Sequence, residues 1–327
     1  MKAIVQDSYG SAEVLKLRDI DPPEIGQDEV LIRVRAAGVD RGVWHLMTGL
    51  PYLVRIMGYG LRAPKTPVPG FDVAGRIEAV GTKVRELRPG DEVFGLGDGS
   101  FAEFARARQN RLARKPAKLS FEQAAAVPTS ALTALQGLRD HGNLQPGQKV
   151  LVVGASGGVG TYAVQLAKVL GAEVAGVCST AKIDLVRSLG ADHVIDYTRD
   201  DITATDRRYD LILDIGGNRS LTHLRKALTP RGTLVIVGGE SGGRWFGGID
   251  RQLRGLILSP FVGQSLRSFI ATFTTGDLEF LRHQIEADAV TPVIDRAFPL
   301  EKTAEALQYL EDGRARGKVV ITLEQGS

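Results

Sequence analysis

The spacing of hydrophobic residues divides this chain into regions of different character. Through residue 124, apolar residues form short runs, and turn signals such as Asp21-Pro22-Pro23 and Pro89-Gly90-Asp91 separate them. Such runs predict β-strands connected by turns. The strands predicted in this region are 2–5, 29–34, 72–77 and 92–94. We therefore expect the first 124 residues to be all-β in character, with helical spacing beginning at Glu122.

Strand and helix patterns alternate in the middle of the chain, starting at Lys149. Apolar runs predict strands at 149–153, 172–177, 193–195, 210–214, 233–237 and 256–258. Helical spacing predicts helices between them at 161–170, 182–189 and 220–228. This alternation is typical of a doubly wound parallel sheet with helices on both faces.

After residue 287, strand patterns return at 292–294 and 319–321, on either side of a helical stretch at 301–310. The two ends of the chain thus share one character, and the middle has another. We predict that residues 1–124 and 287–327 build one domain, and that residues 125–286 form a second, inserted domain.

The composition excludes several classes of function. The chain has 327 residues, which suits two domains, and its 43% hydrophobic and 24% charged shares are ordinary for a soluble protein. The net charge is only +3 without a dense Lys/Arg run, so nothing indicates nucleic acid as a partner. No segment approaches the ~20 apolar residues that span a bilayer, and the N-terminus lacks a signal-peptide pattern. We expect a cytoplasmic protein with no membrane partner.

A glycine-rich turn directly follows the strand predicted at 149–153. Its spacing, Gly154-x-x-Gly157-x-x-Gly160, is a variant of the G-x-G-x-x-G fingerprint between a strand and a helix. Glycines let a pyrophosphate approach the backbone, and the helix N-terminus supplies unpaired N–H groups. The turn predicts dinucleotide binding, and a tight turn without a ligand is the alternative. The cofactor-binding residues predicted here are Ser156, Gly157, Gly158 and Val159.

The end of the next strand favours one form of nicotinamide cofactor. A site that prefers NAD ends this strand with Asp or Glu, which binds both ribose hydroxyls. Here the strand runs to Cys178 and is followed by Ser179-Thr180-Ala181-Lys182, without an acid. Hydroxyl groups and a lysine suit a 2′-phosphate instead, through charge-assisted hydrogen bonds. The sequence therefore predicts NADPH rather than NADH.

Several stretches match one protein family, namely 36–40, 68–75, 80–81, 89–95, 157–160, Asp214-x-x-Gly217 and 317–320. Through these stretches the chain resembles the medium-chain dehydrogenase/reductase superfamily, in its zinc-independent quinone-oxidoreductase-like branch. They follow the family's order from Ala36 to Ile321. The resemblance implies an α/β protein with a GroES-like β domain and a Rossmann domain built on a doubly wound parallel sheet. This agrees with the organisation predicted from the hydrophobic pattern.

The resemblance also implies the remaining cofactor-binding residues. In related enzymes a serine, a lysine and a tyrosine after the following strand bind the 2′-phosphate, and the matching residues are Ser179, Lys182 and Tyr197. Further positions that match residues flanking the nicotinamide or beside it are Thr129, Gly238, Phe261, Val262 and Lys318. Each has a structural alternative: a helix cap for the serine, a solvated surface role for the lysine and the tyrosine, and core packing for the strand-end residues.

Zinc-dependent members of the family place metal ligands where this chain has other residues. The resemblance implies that zinc-dependent members have a cysteine at the position of Asp40 and a His-Glu pair at the positions of Phe71 and Asp72. They have a second cysteine near the positions of Thr129 and Ser130. A catalytic Zn²⁺ needs three protein ligands and an open fourth position. The single cysteine of this chain is Cys178, and its histidines are not clustered in sequence. We predict no metal and expect Asp72 to orient a loop or to pair with an arginine.

Without a metal, hydrogen-bond donors must stabilise the negative charge that develops during hydride transfer. Related reductases carry Asn-x-x-Asp and then Gly-x-Tyr-Pro in the segment that begins at Asp40. Here Asp40 replaces the asparagine, Val43 stands at the aspartate position, and Pro51-Tyr52 inverts the Tyr-Pro order. The candidate catalytic residues are Tyr52 and His45 as proton donors and Asp40 as an orienting residue. Aromatic packing for Tyr52, a structural role for His45 and loop capping for Asp40 are the alternatives.

The leading hypothesis is an NADPH-dependent, zinc-independent oxidoreductase that reduces a quinone, an enone or another activated carbonyl or double bond of a small molecule. Two alternatives stay open: a zinc-free NAD(P)-dependent alcohol dehydrogenase, and a cofactor-binding family member with a regulatory, non-catalytic role. We expect the stretch 53–65 to cover the substrate cleft as an amphipathic helix, or else to pack simply on the surface. A homodimer would extend the sheet through the strand predicted at 256–258, and nearby arginines leave a monomer open.

Overall fold

The computed structural model describes residues 1–204, 206–238 and 243–323, without the side chains of residues 244 and 246. Its strands, in chain order, are β1 (Lys2–Val5), β2 (Lys16–Asp19), β3 (Glu29–Val39), β4 (Asp72–Val80), β5 (Glu92–Leu96), β6 (Phe104–Arg108), β7 (Leu112–Arg114), β8 (Lys149–Val153), β9 (Glu173–Cys178), β10 (His193–Asp196), β11 (Tyr209–Asp214), β12 (Leu228–Ile236), β13 (Ser265–Ser268), β14 (Ile294–Pro299) and β15 (Lys318–Thr322). Its helices are α1 (Arg41–Thr48), α2 (Phe121–Ala125), α3 (Pro128–Gln136), α4 (Gly158–Val169), α5 (Ile183–Ser188), α6 (Leu221–Ala227), α7 (Gly243–Phe246), α8 (Ile249–Leu258), α9 (Thr275–Glu286) and α10 (Thr303–Glu311).

The chain groups into two compact units. The first, which we call the β unit, comprises Met1–Leu132 and Thr272–Ser327, and the second, the α/β unit, comprises Thr133–Ala271. The domain boundaries at 124 and 286 stay predictions. The compact units differ from them in the stretches 125–132 and 272–286, which belong to the β unit. Residues 324–327 of the predicted final segment lie outside the described residues.

The β unit is built on a sheet with the strand order β14-β15-β3-β4-β5-β7, in which β6 also pairs with β3. The long strand β3 lies in the interior because its alternating residues Val30, Ile32 and Val34 are buried. It runs antiparallel to both β15 and β4. The end of β3 therefore lies beside the first residues of β15 and β4. This arrangement brings three distant stretches of the chain to one edge of the sheet.

The first 124 residues are not all-β, because helix α1 directly follows β3. Asp40 starts this helix, and its carboxylate accepts a hydrogen bond from the Val43 N–H at 3.1 Å. Gly49 ends it with a positive φ of 61°. Aspartate before a helix and glycine after it are ordinary start and stop signals. The sequence thus contained start and stop signals for this helix within a region that is otherwise built mainly of strands.

The α/β unit contains a six-stranded sheet with the order β10-β9-β8-β11-β12-β13. The strands are paired in parallel throughout the sheet. The chain winds outward from β8 in one direction and returns to start again at β11, so the order reverses between these two strands. The predicted doubly wound parallel sheet is confirmed. Ligands of such sheets bind at the carboxyl ends of the strands, at the point of reversal.

The strand predicted at 256–258 is wrong, because these residues end helix α8. Arg251 and Gly255, four residues apart, are buried, whereas Leu253, Leu256 and Ile257 are exposed. A run of three apolar residues does not distinguish a strand from a helix, and the spacing of the buried positions decides. The outer strand on this side of the sheet is β13. A sheet extension through 256–258 is therefore wrong as well.

Two further stretches differ from their predictions. Of the strand predicted at 292–294, only Ile294 belongs to β14. Within 53–65, a π-helical turn covers Arg55–Tyr59, and Gly58 interrupts it with a φ of 109°. An amphipathic helix over this whole stretch is therefore wrong. None of the helices described here combines the length and apolar character that crossing a bilayer requires.

Candidate functional site

The glycine turn of the α/β unit has the geometry of an anion site. Gly154 adopts a positive φ of 88°, and its N–H donates to the carbonyl oxygen of Val177 at 3.2 Å. A Cβ on Gly160 would lie 2.1 Å from the Gly154 carbonyl oxygen, so this contact requires glycine. Helix α4 begins at Gly158, and no described side chain caps it. The N–H groups of its first turn and the helix dipole therefore suit a pyrophosphate.

Ser179 and Tyr197 follow neighbouring parallel strands and lie at the same edge of the sheet as the glycine turn. Cys178 at the end of β9 lies opposite Asp196 at the end of β10, and the Tyr197 N–H donates to the Cys178 carbonyl oxygen at 3.1 Å. The side chain of Ser179 makes no capping hydrogen bond with the turn that it precedes. Tyr197 is 55% exposed. The three residues predicted to bind a 2′-phosphate, with Lys182 three positions after Ser179, are thus brought together.

Asp196 is an acid in this neighbourhood that is not among the predicted site residues. Thr198 donates to its Oδ1 through both its N–H at 3.0 Å and its hydroxyl at 2.7 Å, and the hydroxyl of Thr180 donates to Oδ2. The hydrogen bond from Thr180 is the main reason that the pKa of Asp196 is lowered. The carboxylate is buried and engaged by these threonines. It therefore differs from the acid that binds ribose hydroxyls after the second strand of NAD sites.

The predicted residues toward the other end of the sheet are not all brought together. Gly238 follows β12 at the carboxyl edge, where a Cβ would lie 1.9 Å from the Ile215 carbonyl oxygen. Phe261 and Val262 precede β13 and hence lie toward its amino end, away from the edge that carries the glycine turn. Phe269 and Ile270 are the residues that follow the carboxyl end of β13. The position of β13 therefore puts Phe269 and Ile270, and not Phe261 and Val262, at the carboxyl edge. The hydrophobic pattern predicted the last strand of the sheet at the wrong residues.

A buried polar cluster occupies the sheet edge of the β unit where β3 ends. Asp72 Oδ1 accepts hydrogen bonds from the N–H and the hydroxyl of Thr129, at 3.0 and 2.5 Å. The Lys318 ammonium lies 3.3 Å from Asp72 Oδ2 and donates to Ser130 Oγ at 3.1 Å. We call these four residues the Asp72 cluster. Thr129 and Lys318 are thus brought together, and the predicted partner of Asp72, an arginine, is replaced by a lysine.

Burial raises the pKa of Asp72 to about 6, and the nearby Lys318 opposes this rise, whereas the charge of Asp40 adds to it. Both side chains of the ion pair are almost completely inaccessible, with exposures of 2% for Lys318 and 0% for Asp72. A buried charge is costly unless an opposite charge and hydrogen bonds accompany it. The ammonium group therefore provides the positive charge that an ionised Asp72 requires.

The residues of this edge do not fit a zinc ion. The Lys318 ammonium occupies the neighbourhood of Asp72 and would repel a divalent cation. Phe71 offers no ligand atom next to Asp72. Among residues 1–204, 206–238 and 243–323, no group of three or more His, Cys, Asp or Glu side chains lies close enough to hold a metal. We therefore derive no chemical step through a metal at this position.

Asp40 has two carboxylate oxygens in different situations. Oδ1 caps helix α1 through the Val43 N–H. Oδ2 is buried and has no hydrogen-bond partner within the described part of the chain. The capping role that was the alternative for Asp40 therefore uses one oxygen only. A buried carboxylate oxygen without a donor is costly, which is compatible with a ligand group at this position.

His45 and Tyr52 lie at the end of α1 and just beyond it. His45 Nδ1 is 2.8 Å from the Leu50 carbonyl oxygen, so Nδ1 carries a hydrogen. A neutral imidazole then presents Nε2 as an acceptor, and only the protonated ring can donate from Nε2. The Arg55 guanidinium carbon lies 4.8 Å from the centre of the Tyr52 ring. The alternative prediction for Tyr52 was a packing role, and its ring packs against the guanidinium of Arg55.

The α/β unit carries a glycine turn with the geometry of a dinucleotide site, and the β unit carries a buried polar cluster. Two family models match this chain: an alcohol dehydrogenase GroES-like domain over residues 26–117 and a zinc-binding dehydrogenase over residues 189–321. A 2-methylene-furan-3-one reductase of Solanum lycopersicum is 35% identical over 98% of this chain and 79% of its own length. An NADPH-dependent alkenal/one oxidoreductase, chloroplastic, of Arabidopsis thaliana is 36% identical over the same shares. The solved structure of the quinone oxidoreductase from Coxiella burnetii is similar with a TM-score of 0.87 and 28% identity, over 99% of both chains.

The chain therefore belongs to the medium-chain dehydrogenase/reductase superfamily, in its quinone-oxidoreductase-like branch. Its β unit is the GroES-like domain of that family, and its α/β unit is the Rossmann-type domain.

Proposed function

We propose that this protein is an NADPH-dependent oxidoreductase that reduces the activated double bond or carbonyl of a small molecule, namely an enone or a quinone. One observation carries the proposal. The glycine turn, Ser179, Lys182 and Tyr197 share the carboxyl edge of one parallel sheet, and no acid follows β9. The names of the relatives, two of which reduce enones or alkenals, support the same class of reaction.

When bound, NADPH supplies a hydride from its nicotinamide ring. In this proposal, the backbone of residues 156–159 binds the pyrophosphate, and Lys182 pairs with the 2′-phosphate between Ser179 and Tyr197. The other half of the molecule extends past Gly238 toward Phe269 and Ile270, in place of the predicted Phe261 and Val262. Roles for Thr129 and Lys318 beside the nicotinamide stay predictions.

Zinc independence forms part of the proposal. The negative charge that develops on a carbonyl oxygen needs donors or a positive charge near it. Lys318 places a positive charge within the Asp72 cluster, at the position where zinc-dependent relatives carry metal ligands. Tyr52 and protonated His45 are the proposed proton donors, and Asp40 is the proposed orienting residue. Zinc analysis of the purified, fully active protein tests this part, and a stoichiometric zinc content would contradict it.

The experiment that tests the main proposal is NADPH oxidation with a panel of quinones, enones and aldehydes. We expect turnover with at least one enone or quinone, and much slower turnover with NADH. Oxidation of alcohols with NADP⁺ but no reduction of the panel would favour the alcohol dehydrogenase alternative. Stoichiometric NADPH binding without turnover in either direction would favour the regulatory alternative. No structural observation favours either alternative over the reductase.

A homodimer and a cytoplasmic location are further proposals. Strand β13 is an outer strand of the parallel sheet, and the exposed Leu253, Leu256 and Ile257 lie on the neighbouring helix α8. An unpaired strand edge beside apolar side chains suits a second copy of the chain. Light scattering should give twice the mass of one chain, and Ile257→Glu should shift it toward one. Cell fractionation tests the location.

A further inference from the structure

Arg251 lies on the buried face of α8 and reaches the carboxyl edge of the parallel sheet. Its guanidinium forms an ion pair with Asp214, the last residue of β11, whose side chain is fully buried. Its Nε donates to the Arg219 carbonyl oxygen at 3.1 Å, and its Nη1 donates to the Gly238 carbonyl oxygen at 3.5 Å. One side chain thus binds the segments that follow β11 and β12 at the same time.

Asp214 holds the same two segments from the other side. Its Oδ1 accepts a hydrogen bond from the Gly217 N–H at 3.2 Å. Its carbonyl oxygen accepts from the N–H groups of Val237 and Gly238, at 2.9 and 3.1 Å. We call Arg251, Asp214 and the two loop segments that they bind the Arg251 clamp. Its hydrogen bonds fix residues 217, 219, 237 and 238 relative to the sheet.

The Arg251 clamp borders the glycine turn. The N–H groups of Ile215 and Gly216 donate to the Val153 carbonyl oxygen at 3.0 and 3.1 Å. A Cβ on Gly154 would lie 3.1 Å from the Gly216 nitrogen, so the loop after β11 packs closely against the turn. Strand β8, which carries the turn, lies between β9 and β11. The clamp is therefore on the opposite side of the turn from the residues predicted to bind the 2′-phosphate.

We propose that Arg251 is a positioning residue for the nicotinamide end of the cofactor, a role that rests on the proposed function. A dinucleotide is an elongated molecule with its pyrophosphate in the middle. With the adenosine end at β9 and β10 and the pyrophosphate after β8, the nicotinamide end lies past β11 and β12. The Arg251 clamp fixes residues that follow the carboxyl ends of these two strands. Arg251 acts through Gly238 and the loop after β11 and makes no contact with the adenosine end.

The chemistry of the pair favours positioning over stabilisation. Burial raises the pKa of Asp214, and the charge of Arg251 opposes this effect. A buried ion pair is often no more stabilising than apolar residues of the same volume. An arginine, however, presents several N–H groups in a fixed plane and can bind a carboxylate and two carbonyls at once. Lysine has three N–H donors on a single nitrogen, whereas the three contacts of Arg251 use three separate nitrogen atoms.

The test compares two ligands that share the adenosine end. NADPH contains both halves, and adenosine 2′,5′-bisphosphate lacks the nicotinamide half. The double variant Arg251→Met/Asp214→Asn removes both charges, so no unpaired charge stays buried. By calorimetry we expect its Kd for NADPH to rise about tenfold or more and its Kd for the bisphosphate to stay within about twofold. Arg251→Lys keeps the positive charge beside Asp214 and should weaken NADPH binding about threefold, with the bisphosphate unchanged.

Arg254→Met is the matched control, because Arg254 lies on the same helix with a side chain that is 77% exposed. It should change neither Kd. If the double variant and Arg251→Lys weaken both ligands equally, Arg251 has a general structural role and the inference is overturned. Unchanged binding of NADPH overturns it as well. If the unmodified protein binds neither ligand, the proposed function itself has failed.

Discussion

The Lys318 ammonium lies 3.3 Å from the Asp72 carboxylate, and this ion pair joins the beginning of β15 to the beginning of β4 within the β unit. Because both side chains are buried, removing one charge leaves the other without its partner. We expect Lys318→Met to lower the free energy of unfolding by about 3–5 kcal/mol, as measured by urea denaturation.

The double variant Asp72→Asn/Lys318→Met is the control for this prediction. It contains no unpaired buried charge and should recover a large part of the lost stability. If the double variant is as unstable as Lys318→Met alone, the loss arises from packing around the lysine stem and not from the charge.

The pKa of Asp72 predicts a specific dependence of stability on pH. Burial raises this pKa from its ordinary value of 3.8 to about 6. The folded protein then binds the proton more tightly than the unfolded chain does, so the contribution of Asp72 is most favourable at low pH. This contribution is lost as the pH rises from about 4 to about 6.

The measurement is the difference in unfolding free energy between the protein and Asp72→Asn, taken from pH 4 to pH 8. The subtraction removes the effect of other carboxyl groups, such as those of Asp192 and Asp201, whose pKa values are lowered. We expect the difference to fall through the window and to stay constant above about pH 7. A rise through the same window would show that Lys318 outweighs burial.

Replacing Lys182 tests the preference for NADPH. Lys182→Ala should weaken NADPH binding by about 10- to 100-fold, because a charge-assisted hydrogen bond to the 2′-phosphate contributes about 1.5–3 kcal/mol. NADH binding should change little. Lys168→Ala is the control, since Lys168 pairs with Asp192 on the surface and should affect neither cofactor. Equal losses for the two cofactors would remove the assignment.

The close contact at Gly160 predicts a loss of cofactor binding. A Cβ at this position would lie 2.1 Å from the Gly154 carbonyl oxygen, so Gly160→Ala must displace the turn. We expect NADPH binding to fall below detection in fluorescence titration and the melting temperature to decrease. Gly276→Ala is the matched control, because no atom lies within 4 Å of a Cβ there and the residue is in helix α9. Gly276→Ala should lower neither NADPH binding nor the melting temperature, because alanine has the higher helix propensity.

The hydroxyl of Tyr52 is the proposed proton donor that is simplest to remove. Tyr52→Phe retains the ring beneath Arg55 and should lower kcat by about 100-fold or more, with a smaller effect on KM. Tyr59→Phe is the control, because this ring is 47% exposed in the same segment. An unchanged kcat in Tyr52→Phe would leave packing as the role of this residue. His45→Gln is then the next variant to measure.

The hydrophobic pattern predicted the parallel sheet and the glycine turn because both depend on local signals. Strand length, glycine spacing and the order of elements can be predicted from residues that are close together in the sequence. The pattern failed at 256–258, where three apolar residues fit either a strand or a helix and only the buried spacing of Arg251 and Gly255 distinguishes them. That error also placed the last strand of the sheet too early. Phe261, which was predicted by family resemblance to lie beside the nicotinamide, precedes β13, and Phe269 follows the carboxyl end of that strand instead.

The Asp72 cluster was only partly predictable. Thr129 and Lys318 were identified by family resemblance, and Asp72 was expected either to orient a loop or to pair with an arginine. Their union depends on the pairing of β3 with both β4 and β15, which joins residues 246 positions apart in the sequence. Charge pairing over such a separation leaves no periodic signal. The Arg251 clamp is similar, because nothing in the local sequence connects Arg251 with Asp214.

The position of Lys318 has a consequence for the order in which the chain folds during synthesis. The α/β unit is one continuous stretch, Thr133–Ala271, and all its strands have been synthesised before β15 exists. The β unit, in contrast, cannot complete its sheet before β15 has been synthesised. Until then, the charge of Asp72 is not neutralised by Lys318. Domains generally fold as units as they emerge. We therefore expect the nascent α/β unit to be folded before the β unit can close around the ion pair of Asp72 and Lys318.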